Sequence, residues 1–141
     1  MTATNSIDDC QVQILICIDE EDIQEGTDKG IYLLDNQLGS RGAHAALPTV
    51  GTVASRSDRI YWRICMLSPS SYATAEIVSI GNSKAWGFSG QPESAFDSDS
   101  AFTGQVQEAG TYSYNISITV TNSDQGDFSL TFTHTLQINN S

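Results

Sequence analysis

The sequence predicts an all-β fold: a two-sheet antiparallel β-sandwich of the Ig-like, Greek-key kind, with eight or nine strands in one domain across residues 1–141. Three observations predict it. Apolar residues recur mostly with period two. Short apolar runs are punctuated by clusters of Ser, Gly, Asn, Asp and Pro. Only 16% of the residues are charged, so polarity comes from uncharged hydrogen-bonding side chains, not from the Glu, Lys and Arg of long exposed helices.

Residues 1–9 contain neither a base nor an apolar run, so they are expected to form a flexible tail rather than a secretory leader. The first strand covers residues 11–18. Val12, Ile14, Ile16 and Ile18 occupy one face while Leu15 and Cys17 keep the other apolar, as in a strand central to its sheet. Residues 20–25 could make one acidic turn. Residues 30–34 and 49–54 are shorter strand candidates, with a loop at 38–48 between them. In residues 59–67, Ile60, Trp62, Ile64 and Met66 alternate with Tyr61, Arg63, Cys65 and Leu67 until Ser68-Pro69-Ser70-Ser71 stops the strand.

Further short strands are expected at 73–80, 85–89 and 102–107, with the longest loop at 87–101. Two long strands close the chain. Residues 111–121 place Tyr112, Tyr114, Ile116, Ile118 and Val120 on one face, and residues 127–138 place Phe128, Leu130, Phe132, His134, Leu136 and Ile138 inward. The turn residues Asn122-Ser-Asp-Gln-Gly126 between them predict a hairpin. Trp62 stands where a sandwich buries a large aromatic against the opposite sheet. Gly110-Thr-Tyr112-Ser-Tyr114 resembles the corner at which a tyrosine precedes a core position by two residues.

Seventeen acids against six bases give a net charge of -11, a field that repels phosphate backbones and excludes nucleic acid as an expected partner. The longest apolar run, residues 14–18, is far short of the roughly 20 residues of a membrane-spanning helix. Three cysteines, Cys10, Cys17 and Cys65, cannot all pair, which suits a reduced cytoplasm. Cys17 and Cys65 could face each other across strands, either as buried inert thiols or as a disulfide.

His44 falls in a loop, and His134 is expected to be a buried neutral imidazole with one hydrogen bond. No nucleophile accompanies it in sequence, so no catalytic residue is expected, and Cys and His spacings for structural zinc are missing. No resident cofactor is expected. Calcium is the one metal the sequence invites, through oxygen ligands at Asp19 and Asp22 in the acidic run and at Asp97 and Asp99 in the longest loop. Trp86 and Phe88, close to those loop carboxylates, could stack on a sugar, although they also alternate as strand residues would.

Four stretches carry a family resemblance: Ile14-Leu-Ile-Cys-Ile-Asp-Glu-Glu-Asp-Ile23, Ile31-Tyr-Leu-Leu-Asp35, Ser57-Asp-Arg-Ile-Tyr-Trp-Arg63 and Gly110-Thr-Tyr-Ser-Tyr-Asn-Ile-Ser-Ile118. In this order they resemble the bacterial inclusion-body protein family that includes PixA and AidA. The third stretch looks like that family's Gly-Asp-x-Ile-x-Trp-Arg pattern, with Ser57 in place of the glycine. The family's Asp-Pro pair before the final strand is replaced by Thr133-His134. The resemblance implies a compact β-sandwich without known catalytic residues, accumulating as cytoplasmic inclusions and tied to host association or population density.

The leading expectation is therefore a non-enzymatic protein whose partner is a further copy of itself. A chain of charge -11 would assemble more readily once protons or divalent cations offset its charge. The alternative is a small carbohydrate-binding module, calcium-assisted, that uses the 87–101 loop.

Overall fold

The computed structural model describes residues 10–19, 30–36, 52–68, 73–95, 101–122 and 126–140. Among them lie nine strands: β1 (Val12–Ile18), β2 (Ile31–Asp35), β3 (Thr52–Ser55), β4 (Arg59–Met66), β5 (Thr74–Ile80), β6 (Glu93–Ser94), β7 (Phe102–Gln105), β8 (Gly110–Asn122) and β9 (Gly126–Asn139). They form a five-stranded sheet ordered β2-β1-β4-β7-β6 and a four-stranded sheet ordered β3-β9-β8-β5. The expected all-β, two-sheet architecture is what the chain adopts.

Pairing is mixed within each sheet. β1 and β4 run parallel, as do β3 and β9, while the other neighbours are antiparallel. β1 and β4 are parallel because β2 and β3 intervene between them, so the chain returns to β1 from the opposite sheet and not through a hairpin. β8 and β9 do form the expected hairpin, in register from Gly110 opposite Ile138 to Asn122 opposite Gly126.

Alternation along the strands builds the core. Val12, Ile14, Ile16 and Ile18 of β1, with Ile60 and Trp62 of β4, bury against Tyr114, Ile116, Ile118 and Val120 of β8 and Leu130, Phe132, Leu136 and Ile138 of β9. A second, smaller cluster of Cys10, Tyr61, Ala95 and Ala101 covers part of the outward side of the five-stranded sheet. This is why Tyr61, on the outward face of β4, is as buried as the core beneath it.

One element departs from expectation. Residues 85–89 are not a strand; Lys84–Trp86 is a single 3-10 turn. Ser83 caps it by accepting a hydrogen bond from the Ala85 N–H at 3.1 Å, and Gly87 leaves it with φ 62, the left-handed region that favours glycine. The expected longest loop also contains the two-residue strand β6, too short to show a periodicity. The acidic turn at 20–25, the 38–48 loop with His44, and the 1–9 tail lie outside the described residues.

Two sequence signals prove structural. Tyr112 donates its hydroxyl to the Ala109 carbonyl at 2.8 Å, the backward reach of a corner tyrosine. A Cβ at Gly110 would sit 3.0 Å from that hydroxyl oxygen, a tight contact, and Gly110 has φ 137, a backbone conformation that strains any residue with a side chain. Ser57, standing where the resembling family has glycine, takes φ 77 in the turn between β3 and β4. That turn is closed by Asp58 N–H donating to the Ser55 carbonyl at 3.0 Å and Ser55 N–H donating to the Asp58 carboxylate at 2.9 Å. Ser57 is held there by its N–H donating to Val106 O at 2.8 Å and its carbonyl accepting from Gln105 Nε2 at 3.0 Å.

A Cβ in the left-handed region costs about 1–2 kcal/mol, part of which glycine would lose again through its freer unfolded chain. Ser57→Gly is expected to raise the unfolding free energy by about 0.5–1 kcal/mol, read as a higher urea midpoint at unchanged slope. A lowered midpoint would show that the Ser57 side chain contributes something its backbone geometry does not reveal.

Candidate functional site

Between the two apolar layers runs a chain of five polar side chains. Trp62 Nε1 donates to Tyr114 Oη at 2.8 Å, and Tyr114 Oη meets His134 Nδ1 at 2.8 Å. His134 Nε2 meets Thr52 Oγ1 at 3.2 Å, and Thr52 Oγ1 donates to Asp35 Oδ2 at 2.7 Å. The chain leaves the five-stranded sheet at Trp62 in β4, crosses β8, β9 and β3 of the four-stranded sheet, and returns to the five-stranded sheet at Asp35 in β2. Tyr114 and His134 meet because they are register partners on the inward face of the hairpin.

For a neutral imidazole the directions follow from the Asp35 end. Thr52 has one proton and spends it on Asp35, so His134 donates to Thr52 from Nε2 and accepts at Nδ1 from the Tyr114 hydroxyl. Indole N–H can only donate, so Tyr114 also receives the bond from Trp62. His134 therefore uses both ring nitrogens in this chain, where one hydrogen bond was expected from sequence.

Trp62, Tyr114, His134 and Thr52 are all buried, with Asp35 half-buried at the end. Trp62, Trp86 and Tyr114 also pack edge to face around one another, with ring centroids 5.2 to 6.0 Å apart. Enclosure shapes titration as well as packing. Burial pushes the Tyr114 hydroxyl far above its usual range, which the hydrogen bond from Trp62 only partly opposes.

Trp86 is corrected as a sugar-stacking residue: it is 0% exposed, and its indole N–H is spent on the Gly81 carbonyl at 2.9 Å. The 3-10 turn points it inward and leaves Phe88 fully exposed, so the two rings share no platform. Ser83 before the turn and Gly87 after it were the sequence signals for this geometry. Asp19 follows β1, where its N–H donates to the Gly30 carbonyl at 2.8 Å. Asp22, Asp97 and Asp99 lie outside the described residues. Among the described residues no group of three or more His, Cys, Asp or Glu side chains is arranged to hold a metal ion.

The two outer faces differ in chemistry. On the five-stranded sheet, Gln13, Leu15, Leu34, Asn36, Tyr61 and Arg63 line an open groove of about 270 Å³. On the four-stranded sheet, β8 and β9 present rows of hydroxyls and amides that pair across the strands. Ser113 meets Thr135 at 3.3 Å, Ser117 meets Thr131 at 3.0 Å, Thr119 meets Ser129 at 3.3 Å, and Thr133 donates to Asn115 at 2.9 Å. From Thr111 to Thr119, opposite Gln137 to Ser129, the outward side chains carry no charge. Glu76 flanks them on β5, opposite Thr119, and Asp127 lies at one end.

These features define a two-layer β-sandwich bolted through its interior by a polar chain, with one long face almost free of charge. The chain belongs to the family described as a domain of unknown function, DUF8788, whose model matches residues 10–126. It is similar in fold to the crystal structure of the inclusion body protein PixA from Burkholderia cenocepacia, with a TM-score of 0.62 over 90% of this chain and 94% of that one, at 13% identity. The resemblance read from the sequence therefore holds for the fold. No curated protein matches the chain. Among the described residues, no helix is long and apolar enough to cross a membrane.

If the polar chain acts as one unit, removing neighbours from it must be non-additive. Tyr114→Phe and His134→Phe are each expected to cost about 1–3 kcal/mol, because each leaves a buried partner without its bond. The double variant should cost less than the sum, by about 0.5–3 kcal/mol in a denaturation cycle; additive values would dissolve the chain into independent contacts.

The titration shifts give a second test. Cys17 and Tyr114 both hold their protons more tightly in the folded state, Cys17 up to about 11 from 9.0. Stability from these groups is complete below their unfolded values and is lost as pH rises through the folded ones. Unfolding free energy should thus fall from about pH 9 upward, with the part above about pH 10 missing in Tyr114→Phe. An unchanged alkaline slope in that variant would remove Tyr114 from the account.

Proposed function

We propose that the protein is a non-enzymatic, self-associating β-sandwich of the inclusion-body type that accumulates in the cytoplasm, its copies meeting through the outer face of the four-stranded sheet. The observation that carries this reading is the uncharged hydroxyl ladder of β8 and β9 on a molecule of net charge -11. Anywhere acids are dense, a second copy is repelled; on this face, among the described residues, it meets no carboxylate until Glu76 or Asp127.

The ladder is also cheap to dehydrate. Its hydroxyls already bond across the strands, so covering them strands few donors, and the threonine methyl groups remain to make dispersion contacts. Long, flat, regularly spaced side-chain rows interdigitate in the manner of paired sheets. The fold shared with a protein titled as an inclusion body protein supports the same reading. Residual repulsion between the acidic remainders of two copies is what protons or calcium would reduce.

The test is light scattering after size-exclusion chromatography, run as a concentration series from pH 8 to 4 with and without calcium. Species larger than a monomer are expected, growing as pH falls or calcium is added. Thr131→Glu combined with Thr133→Glu should raise the concentration needed for assembly by more than about tenfold, since two unpaired charges would have to be buried. The exposed control Gln91→Glu should leave assembly unchanged. A monomer under all conditions, or face variants that assemble like the wild type, overturns the proposal.

A further inference from the structure

We propose that Cys17 and Cys65 form a reversible disulfide that clamps β1 to β4, driven by exchange with a low-molecular-weight disulfide. The two residues are register partners on the parallel pair β1/β4, on the outward side of the five-stranded sheet, and their Sγ atoms lie 3.8 Å apart. Both thiols are free. Neighbouring strands are spaced about 4.7–4.9 Å apart, inside the Cα separations of about 4.4–6.8 Å that disulfides span. Closing the bond therefore asks for side-chain rotation and not for movement of the sheet.

The two thiols differ in the way an exchange pair needs. Cys65 is partly exposed, whereas Cys17 is buried and its thiol is pushed up to about 11, chiefly by loss of solvent and then by the neighbouring Cys65. Cys65 accordingly reacts first. Its thiolate attacks one sulfur of the small disulfide, forming a mixed disulfide and expelling one small thiolate, which takes up a proton. Cys17 then gives its proton to solvent and attacks Cys65 Sγ, expelling the second small thiolate. In sum, two protein thiols and one small disulfide become one protein disulfide and two small thiols, with two electrons passing to the small molecule.

Cys65 is partly exposed, so a small reducing thiol can reach the bond from solvent, which makes the clamp reversible. Cys10 serves as an internal control: it is buried in the separate small cluster, with its sulfur 3.5 Å from Thr103 Oγ1.

The test incubates the purified full chain with oxidised glutathione at pH 8 and reads intact mass and non-reduced peptide maps. The expected result is loss of two hydrogens, a linked peptide pair containing Cys17 and Cys65, an unmodified Cys10, and full reversal by dithiothreitol. Cys17→Ser should instead accumulate the glutathione adduct on Cys65, and Cys65→Ser should give no linked product. Three unmodified thiols in the wild type, or a glutathione adduct on Cys65 that Cys17 does not displace, overturns the proposal. The wild-type result decides even if a variant fails to fold.

Discussion

The constraint on which the structure depends is the need to satisfy every polar atom in the space between two apolar sheets. Trp62, Tyr114, His134 and Thr52 place four hydrogen-bonding side chains there, and each would destabilise the fold if left alone. They are tolerated because their bonds all point one way, from indole to phenol to imidazole to hydroxyl, and end on the Asp35 carboxylate. An acceptor-only group at the end is what lets every donor upstream be used once. Because the chain starts and finishes on one sheet and runs through the other, it also fixes how the two layers register.

How much of this the sequence discloses depends on how local the signal is. Trp62 and Tyr114 are legible as core residues because they sit in long, regular alternations, and Tyr112 is legible as a corner because its partner at Ala109 is three residues away. His134 reads as buried for the same reason. Its partners do not, since Thr52 and Asp35 come from short strands distant in sequence, and only the parallel β3/β9 pairing brings Thr52 alongside. Asp35 reads merely as the last residue of a short strand.

Trp86 shows the opposite failure, in which a local pattern is present but belongs to another structure. Trp86 and Phe88 alternate as strand residues would, yet Ser83 and Gly87 on either side impose a turn that turns one ring in and the other out. Period two over three residues is too short to overrule capping chemistry. Ser57 is a gentler case. Its departure from the glycine of the resembling family marks a backbone position where glycine is the less strained choice, and the ties to Val106 and Gln105 hold the serine there.

With the interior committed to this polar chain and its aromatic packing, interaction chemistry falls to the outer faces, one lined with paired hydroxyls and the other with a groove and a facing thiol pair. The most direct measurement of the central claim is the nitrogen chemical shifts of the His134 imidazole in labelled protein at pH 8. The account predicts a proton on Nε2 and an unprotonated, hydrogen-bonded Nδ1. A ring protonated on Nδ1 would contradict the direction of the chain from Trp62 to Asp35.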